Sequence, residues 1–251
     1  MNRIKTLIIV SLLTTSLFGQ VKETDTLSKK MIPKFNYKSL IIPTALIGYG
    51  VIGLENKGIK NFNLDVKKEL NGHVNEEFSV GDLIQYTPAL SVYGLNALGI
   101  EGKHNLKDRT IILGTAYLIM GTTVFAMKKI TKVNRPDDSN ITSFPSGHTS
   151  TAFMGAEFLY QEYKDVSIWI GVSGYMVASG VAYLRIYNNR HWFSDVVTGA
   201  GFGILSTKVA YWMHPFVKRT LFKDKKDRDG IVMPFYNGEE YGIGFSMSFW
   251  K

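Results

Sequence analysis

The chain has 251 residues and no cysteine at all. This absence excludes disulfides, thiolate metal ligands and a cysteine that carries a lipid. It also suits an oxidising compartment such as a cell envelope, where a stray thiol is a liability. Repeats and low-complexity tracts are absent too, and no group of histidine and carboxylate residues has the spacing of a metal site. Any chemistry of this chain is therefore expected to need neither a metal nor another cofactor.

The formal charge is +8, and much of the positive excess lies between Lys218 and Arg228. Such a segment is either a solvated tail or a surface that attracts anionic lipid headgroups. No nucleic-acid-binding motif accompanies the charge. We therefore expect a membrane surface as a partner and no nucleic acid.

Residues 1–19 have the three parts of a secretory signal peptide. Arg3 and Lys5 make a basic start, Thr6 to Phe18 is apolar and uncharged, and Gly19 is small enough for a cleavage site. An uncleaved membrane anchor is the alternative, but the short apolar part and the polar residues after it favour cleavage. We expect an exported protein of the bacterial cell envelope, either periplasmic or associated with a membrane.

A polar lead-in at 20–38 precedes a region, 39–215, in which largely apolar runs alternate with polar links. This pattern predicts an all-α fold, an antiparallel bundle of about six helices. Only two runs, 110–127 and 166–184, approach the ~20 apolar residues of a membrane span, so an exported domain that sits on a membrane is slightly favoured. Small residues would let the helices approach closely; they are Gly171, Gly174, Ala178, Gly180, Gly199, Gly201 and Gly203.

Residues 216–251 are predicted to form a basic tail and a small C-terminal β-hairpin. Ile231–Tyr236 and Tyr241–Trp250 flank Asn237-Gly238, a residue pair typical of hairpin turns. The second segment alternates large apolar and small residues, as a strand with one packed face does.

Three short motifs lie between Lys128 and Asp195, and together they supply the parts of a phosphate site. Written as patterns, they read K-x6-R-P, P-S-G-H and R-x5-H-x3-D. They contribute three cations, two imidazoles, one carboxylate and a turn that contains glycine. The ionisable members are Lys128, Arg135, His148, Arg185, His191 and Asp195.

These residue types match what a phosphate dianion requires. It needs fixed positive charge and N–H donors, and the planar fork of arginine can bind two of its oxygens at once. Pro145 precedes a predicted helix, and proline is favoured at the first helical position. The free N–H groups at such a helix start bind anions, and Gly147 lets the backbone come close to an oxygen.

The two histidines suit phosphoryl transfer without a metal. His191 and Asp195 are four residues apart, so on a helix they would share a face. A carboxylate bound to one ring nitrogen leaves the other as a nucleophile. His148 remains as the acid for the leaving oxygen, a task that its unperturbed pKa of ~6.5 suits. The other histidines, His73, His104 and His214, show no such pattern and are expected to be surface or structural residues.

The three motifs resemble those of the type 2 phosphatidic acid phosphatase superfamily, which includes bacterial acid phosphatases and vanadium haloperoxidases. The resemblance covers 128–203 and is specific, because three patterns occur in the right order. It implies that His191 attacks phosphorus, that His148 protonates the leaving group and that Asp195 orients His191. Leu184 departs from the family, which often has serine before the arginine of the third motif. The implied phosphate ligands are Lys128, Arg135, Arg185 and the amides of Ser146 and Gly147.

This resemblance implies a metal-independent phosphatase that works through a phosphohistidine. Its expected substrate is a lipid phosphate or diphosphate, such as phosphatidic acid, a polyprenyl diphosphate or lipid A. A soluble non-specific acid phosphatase, which takes a small phosphoester, is the closest alternative. A vanadium-dependent haloperoxidase is less favoured because those enzymes are typically far longer. A phospholipid-binding protein without catalysis is the third class.

Overall fold

The computed structural model describes residues 36–70, 80–222, 230–236 and 241–247. Within these ranges the chain is helical, apart from two short strands near the C-terminus. The predicted signal peptide, residues 20–35 of the lead-in and His73 lie outside the described residues.

Eight α-helices follow a short 3-10 turn at Tyr37–Leu40 in the described ranges. They are α1 (Ile41–Gly53), α2 (Lys57–Glu69), α3 (Val80–Ile84), α4 (Thr87–Ala97), α5 (Leu106–Thr131), α6 (Gly147–Tyr163), α7 (Ile168–Tyr187) and α8 (Phe193–Leu221). Six of them lie on the predicted apolar runs, and the all-α prediction is confirmed. Of the two additional helices, α2 lies within the polar stretch at 55–82 and α3 spans its end; the apolar pattern there is too weak to fix the bounds of a helix.

Helix α6 is the centre of the bundle. It packs against α4, α5, α7 and α8, while α8 also packs against α1 and α5. Its side chains Met154 and Phe158 are fully buried and join Ile112 of α5 and Val92 of α4 in the main core. Because the P-S-G-H motif forms the start of α6, the central helix of the described bundle also positions that motif.

Glycines let α8 lie directly against α6. A Cβ at Gly199 would come within 2.6 Å of the Ser146 carbonyl oxygen, and one at Gly203 within 2.7 Å of the Met154 nitrogen. Close contacts of the same kind surround Gly171 and Gly174. Gly180 is different, because nothing lies within 4 Å of its Cβ position, so the prediction that it mediates helix contact is wrong.

Helix α8 continues past the predicted domain boundary at residue 215. Pro215 lies inside the helix, and Lys218 is in its last turn. Lys218 Nζ donates to Asp108 Oδ2 of α5 over 3.0 Å. Part of the predicted basic tail is therefore helix, held by an ion pair that the sequence separates by more than a hundred positions.

The two strands, β1 (Gly230–Tyr236) and β2 (Tyr241–Met247), pair antiparallel. Gly230 lies opposite Met247, and Tyr236 lies opposite Tyr241. The predicted turn at Asn237-Gly238 falls outside the described residues.

Helix α5 is long and apolar enough to cross a membrane. The bent pair formed by Tyr37–Gly53 and Lys57–Glu69 passes the same test only if it is taken as one broken span. These statements rest on length and composition within the described residues. Several large apolar side chains of α5, among them Leu118 and Phe125, are exposed, whereas others such as Ile112 lie in the core.

Replacement of Gly203 by alanine should destabilise the protein, because the new methyl group would meet the backbone of α6. Overpacking of this kind costs about 1–3 kcal/mol, and a domain of this size loses about 2–4 °C in Tm for each kcal/mol. The matched control is Gly180→Ala, where the position is open and alanine favours the helix. Thermal unfolding should show a lower Tm for Gly203→Ala and an unchanged or higher Tm for Gly180→Ala. Equal midpoints would contradict the close packing of α6 and α8.

Candidate active site

The three motifs meet at one end of the bundle. Lys128 lies in the last turns of α5, Arg185 in the last turn of α7, and the other two segments lie at the starts of α6 and α8. The Ser146 amide donates to the Asp195 carbonyl over 3.0 Å, which joins the second motif to the third. The His191 amide donates to the Arg185 carbonyl over 3.2 Å, so the third motif is folded back on itself.

The loop between α5 and α6 is tied to this end by several polar contacts. Lys128 Nζ donates to the Thr142 carbonyl over 2.5 Å, with the Ser143 carbonyl at 3.4 Å. Trp192 Nε1 donates to the Asn134 carbonyl over 2.8 Å. These contacts bring Arg135, which lies in the same loop, to the site.

His191 and Asp195 do not share a helical face, so that part of the sequence reasoning is wrong. Helix α8 begins at Phe193, and His191 precedes its N-cap residue Trp192. The Asp195 carboxylate instead caps the helix, because its Oδ2 accepts the Trp192 amide over 3.0 Å. His191 Nδ1 lies 3.7 Å from the same oxygen, so the predicted pair is formed across the helix start.

Ser143 lies between these two residues, and sequence reasoning missed it. Its hydroxyl donates to Asp195 Oδ2 over 2.5 Å and lies 3.5 Å from His191 Nδ1. Ser143 is fully buried. It comes two residues before the P-S-G-H motif, and only that proximity could have suggested it. The Nδ1 side of His191 thus faces a hydroxyl and a carboxylate, which leaves Nε2 as the nitrogen for the substrate.

His191 is buried, and its environment keeps it neutral. Burial lowers the pKa of His191 to about 4, although Asp195 acts in the opposite direction. The cations Lys128 and Arg185 add to the lowering. A neutral imidazole has a free lone pair at neutral pH, and this is the form that a nucleophile requires.

The start of α6 differs from the prediction in two respects. The helix begins at Gly147 with Ser146 as its N-cap, so Pro145 does not occupy the first helical position. The Ser146 hydroxyl accepts the Thr149 amide. The Ser146 amide is already bonded to Asp195, so it is not available for a phosphate. The next two amides, those of Gly147 and His148, stand at the helix start where no intrahelical acceptor exists. The prediction named the amides of Ser146 and Gly147, whereas the helix-start amides that remain for an anion are those of Gly147 and His148.

Two arginines bring unsatisfied donors to the site. The Nε atoms of Arg135 and Arg185 are buried and have no hydrogen-bond partner among the described residues. Arg185 is almost fully buried, at 5% exposure. An unpaired buried guanidinium N–H is costly, and an anion that accepts from both arginines would remove this cost.

His148 has a partner that the sequence did not suggest. Its Nε2 lies 2.7 Å from Oδ1 of Asp82, which is also 3.1 Å from Arg185 Nη1. Burial lowers the pKa of His148 to about 4, helped by Arg185 and Arg135 and opposed by Asp82. Asp82 belongs to the short helix α3, far from the motifs in sequence, and no pattern around it marks a site residue.

The remaining described histidines, His104 and His214, have structural roles, as expected. His104 Nδ1 lies 2.7 Å from Oε1 of the buried Glu162, and His214 Nε2 lies 3.3 Å from Asp108 Oδ1. This cluster joins the start of α5 to the ends of α6 and α8. It lies at the opposite end of these helices from the phosphate motifs.

No group of three histidine, cysteine, aspartate or glutamate side chains in the described part of the chain could hold a metal ion. The site instead brings together three cations, two helix-start amides and two imidazoles, with Asp82 and Asp195 as the carboxylates. A set with this excess of positive charge and N–H donors suits an anion.

Comparison with known families agrees with this geometry. A sequence model of the PAP2 superfamily matches residues 109–219, which include all three motifs. This part of the chain belongs to the PAP2 superfamily.

The matches extend to one curated protein and to solved structures. The chain is 37% identical over 143 residues to a lipid A 1-phosphatase from Porphyromonas gingivalis. The match covers 56% of this chain and 32% of that protein, so the chain spans about a third of the relative's length. Two crystal structures are also similar at 19% identity: LpxE from Aquifex aeolicus and a PAP2-type phosphatidylglycerolphosphate phosphatase from Bacillus subtilis. They have TM-scores of 0.41 and 0.44, over 72% and 74% of this chain and 99% and 98% of theirs.

The low pKa of His191 should make the protein less stable in mild acid. In the unfolded chain a histidine takes up a proton near pH ~6.5, whereas His191 in the folded protein resists protonation down to about pH 4. The unfolded state thus binds more protons between these values, and stability falls as the pH falls, by up to ~1.4 kcal/mol per pH unit for one such group. Chemical unfolding from pH 7 to pH 4 should show a smaller slope for His191→Gln than for the wild type. Identical slopes would contradict a buried neutral His191.

Proposed function

We propose that this protein is a phosphatase that hydrolyses a lipid phosphate or diphosphate without a metal, through a phosphohistidine on His191. The observation that carries the proposal is the pair of buried, unsatisfied arginine Nε–H donors beside a buried neutral histidine. Donors of this kind favour a phosphate, and the histidine supplies a nucleophile for it.

Two observations support a lipid as the substrate. The PAP2 superfamily match includes every motif residue, and the curated relative is named for its action on lipid A. Helix α5, which carries Lys128, exposes large apolar side chains along its length. We therefore place the protein at a membrane surface of the bacterial cell envelope, with its site exported. Phosphatidic acid, a polyprenyl diphosphate and a lipid A phosphate are the candidate substrates.

In the first step, Nε2 of His191 attacks phosphorus with its lone pair. The bond from phosphorus to the leaving oxygen breaks, and that oxygen takes a proton from His148. Ser143 and Asp195 face Nδ1 and stabilise the positive charge that develops on the ring. Lys128, Arg135 and Arg185 balance the negative charge on the phosphoryl oxygens.

In the second step, a water molecule attacks the phosphorus of the phosphohistidine. His148 now accepts a proton from this water, and the bond from phosphorus to Nε2 breaks. Inorganic phosphate leaves, and both histidines return to their starting forms. The three cations act in both steps, because each passes through a similar five-coordinate phosphorus.

A phosphate-release assay on the purified protein tests the proposal. Phosphatidic acid, a polyprenyl diphosphate and lipid A are offered in mixed micelles, beside a soluble aryl phosphate, all with EDTA present. We expect release from at least one lipid at a rate that EDTA does not change. Release from the soluble ester alone would favour the non-specific acid phosphatase, and a strict requirement for added Mg2+ would contradict the mechanism.

The matched control is His191→Ala, which should abolish release because it removes the nucleophile. Acid-quenching and alkaline treatment distinguish a phosphohistidine, since that adduct is labile in acid and stable in base. Labelled substrate should leave such an adduct on the wild type and none on His191→Ala. An adduct that persists in the variant would place the covalent step on another residue.

The acid role of His148 makes a second prediction about the leaving group. A general acid is worth ~10²–10⁴-fold in rate, and an activated aryl leaving group needs little of this help. His148→Ala should therefore hydrolyse an alkyl phosphate far more slowly than the wild type but an aryl phosphate much less so. Equal losses for both esters would show that His148 binds phosphate and that another group delivers the proton.

A further inference from the structure

Asp82 brings a second carboxylate, in addition to Asp195, into a site that contains three cations. Its Oδ1 contacts two groups at once, His148 Nε2 at 2.7 Å and Arg185 Nη1 at 3.1 Å. The Arg185 side chain is 6% exposed, whereas that of Asp82 is 36% exposed. The carboxylate therefore lies at the solvent side of the site and reaches inwards to both residues.

The position of Asp82 is set by packing and not by the motifs. Helix α3 contacts α6 and α7, the helices that carry His148 and Arg185. Ile84 packs against a small buried cluster of those two helices that includes Ala152 and Ala178. Nε2 of the buried Gln85 donates a hydrogen bond to the Asp82 carbonyl over 2.7 Å. These contacts hold the residue at the junction of α6 and α7.

The contact with Arg185 leaves part of the guanidinium free. Nη1 faces Asp82, while the buried Nε has no partner among the described residues. An arginine fixed on one side by a carboxylate presents its remaining N–H groups in a defined plane, which suits a bidentate contact with phosphate. Asp82 can thus orient Arg185 without competing for the N–H that a phosphate would use.

The contact with His148 influences how readily this imidazole is protonated. Three charged groups influence this imidazole: Arg185 and Arg135 disfavour its protonated form, and Asp82 favours it. Burial also disfavours the protonated form. Among the charged groups of the described residues that act on this ring, Asp82 is the one that helps it keep the proton that a leaving oxygen needs.

We propose that Asp82 is a positioning residue for the reaction, which orients His148, favours its acid-competent form and fixes the fork of Arg185. The inference rests on the proposed phosphatase function. Each of the two histidines then has a carboxylate partner, Asp195 for the nucleophile and Asp82 for the acid. The second partner comes from outside the matched superfamily region at 109–219.

The same geometry has a rival interpretation, in which the carboxylate occupies the place of a phosphate oxygen and must leave before substrate binds. The two interpretations predict opposite effects when the carboxylate is removed. A positioning carboxylate helps turnover, and its loss harms the acid step. A carboxylate that blocks the site opposes anion binding, and its loss tightens the binding of inorganic phosphate.

The test compares Asp82→Asn with the wild type in three measurements on the full chain. The first is the pH profile of kcat/KM, whose alkaline limb should move to lower pH by about one unit, because an ion-pair partner of this kind shifts a pKa by ~1–3 units. The second is the ratio of kcat for an alkyl phosphate to kcat for an aryl phosphate, which should fall by about tenfold or more. The third is inhibition by inorganic phosphate, whose constant should not decrease.

Asp138→Asn is the matched control, since it also removes one negative charge, from the turn whose Asp138 amide donates to the Arg135 carbonyl. Its side chain is exposed, and its left-handed backbone conformation, with φ of 55°, suits asparagine. It should leave the pH profile and the leaving-group ratio unchanged. Asp82→Glu restores a carboxylate and should recover part of the loss.

Tighter phosphate inhibition of Asp82→Asn with an unmoved alkaline limb would overturn the proposal in favour of the blocking role. Equal losses for both esters without a pH shift would overturn it in favour of a purely structural role. The wild type serves as the reference for the function itself. If it releases no phosphate from any ester, the proposed function fails first, and an active wild type with an unaffected variant refutes only the role of Asp82.

Discussion

The close approach of α6 and α8 is the constraint on which the site depends. Gly199 and Gly203 remove the side chains that would separate these helices, and the Ser146 amide then reaches the Asp195 carbonyl. This contact places the start of α6 beside the start of α8. His148 and His191 are thereby brought to one place, although neither helix contains both. A looser bundle with the same motifs would keep every reactive group and lose their mutual geometry, on which phosphoryl transfer relies.

Burial lowers the pKa of both site histidines, but their proposed roles require different protonation states. His191 loses its proton because it is fully enclosed beside cations, and a neutral ring is what a nucleophile needs. His148 is subject to the same forces, although its role as an acid requires a proton. A bound phosphate would add negative charge next to both rings. The arrival of substrate therefore favours protonation of His148, whereas the full burial of His191 still opposes protonation of that ring.

Supporting residues come from segments without a recognisable motif. Ser143 sits between Asp195 and His191, and Asp82 lies against His148 and Arg185. Each provides an oxygen for a group that the motifs supply. Such contacts hold reactive side chains in one rotamer, and this order is part of what distinguishes a catalytic site from a simple anion-binding cluster.

The amino-acid sequence alone determined the helical class and the six main helices, and it indicated the motif residues that the fold brings together, because apolar periodicity and motif order are local properties of the chain. It did not determine how the helix starts are capped, so the shared face of His191 and Asp195 and the free amide of Ser146 were predicted wrongly. Nor did it reveal Asp82, which lies 66 positions before His148 in the chain. Only the tertiary structure decided these points, because they depend on which helix ends meet and on which donors are already satisfied there.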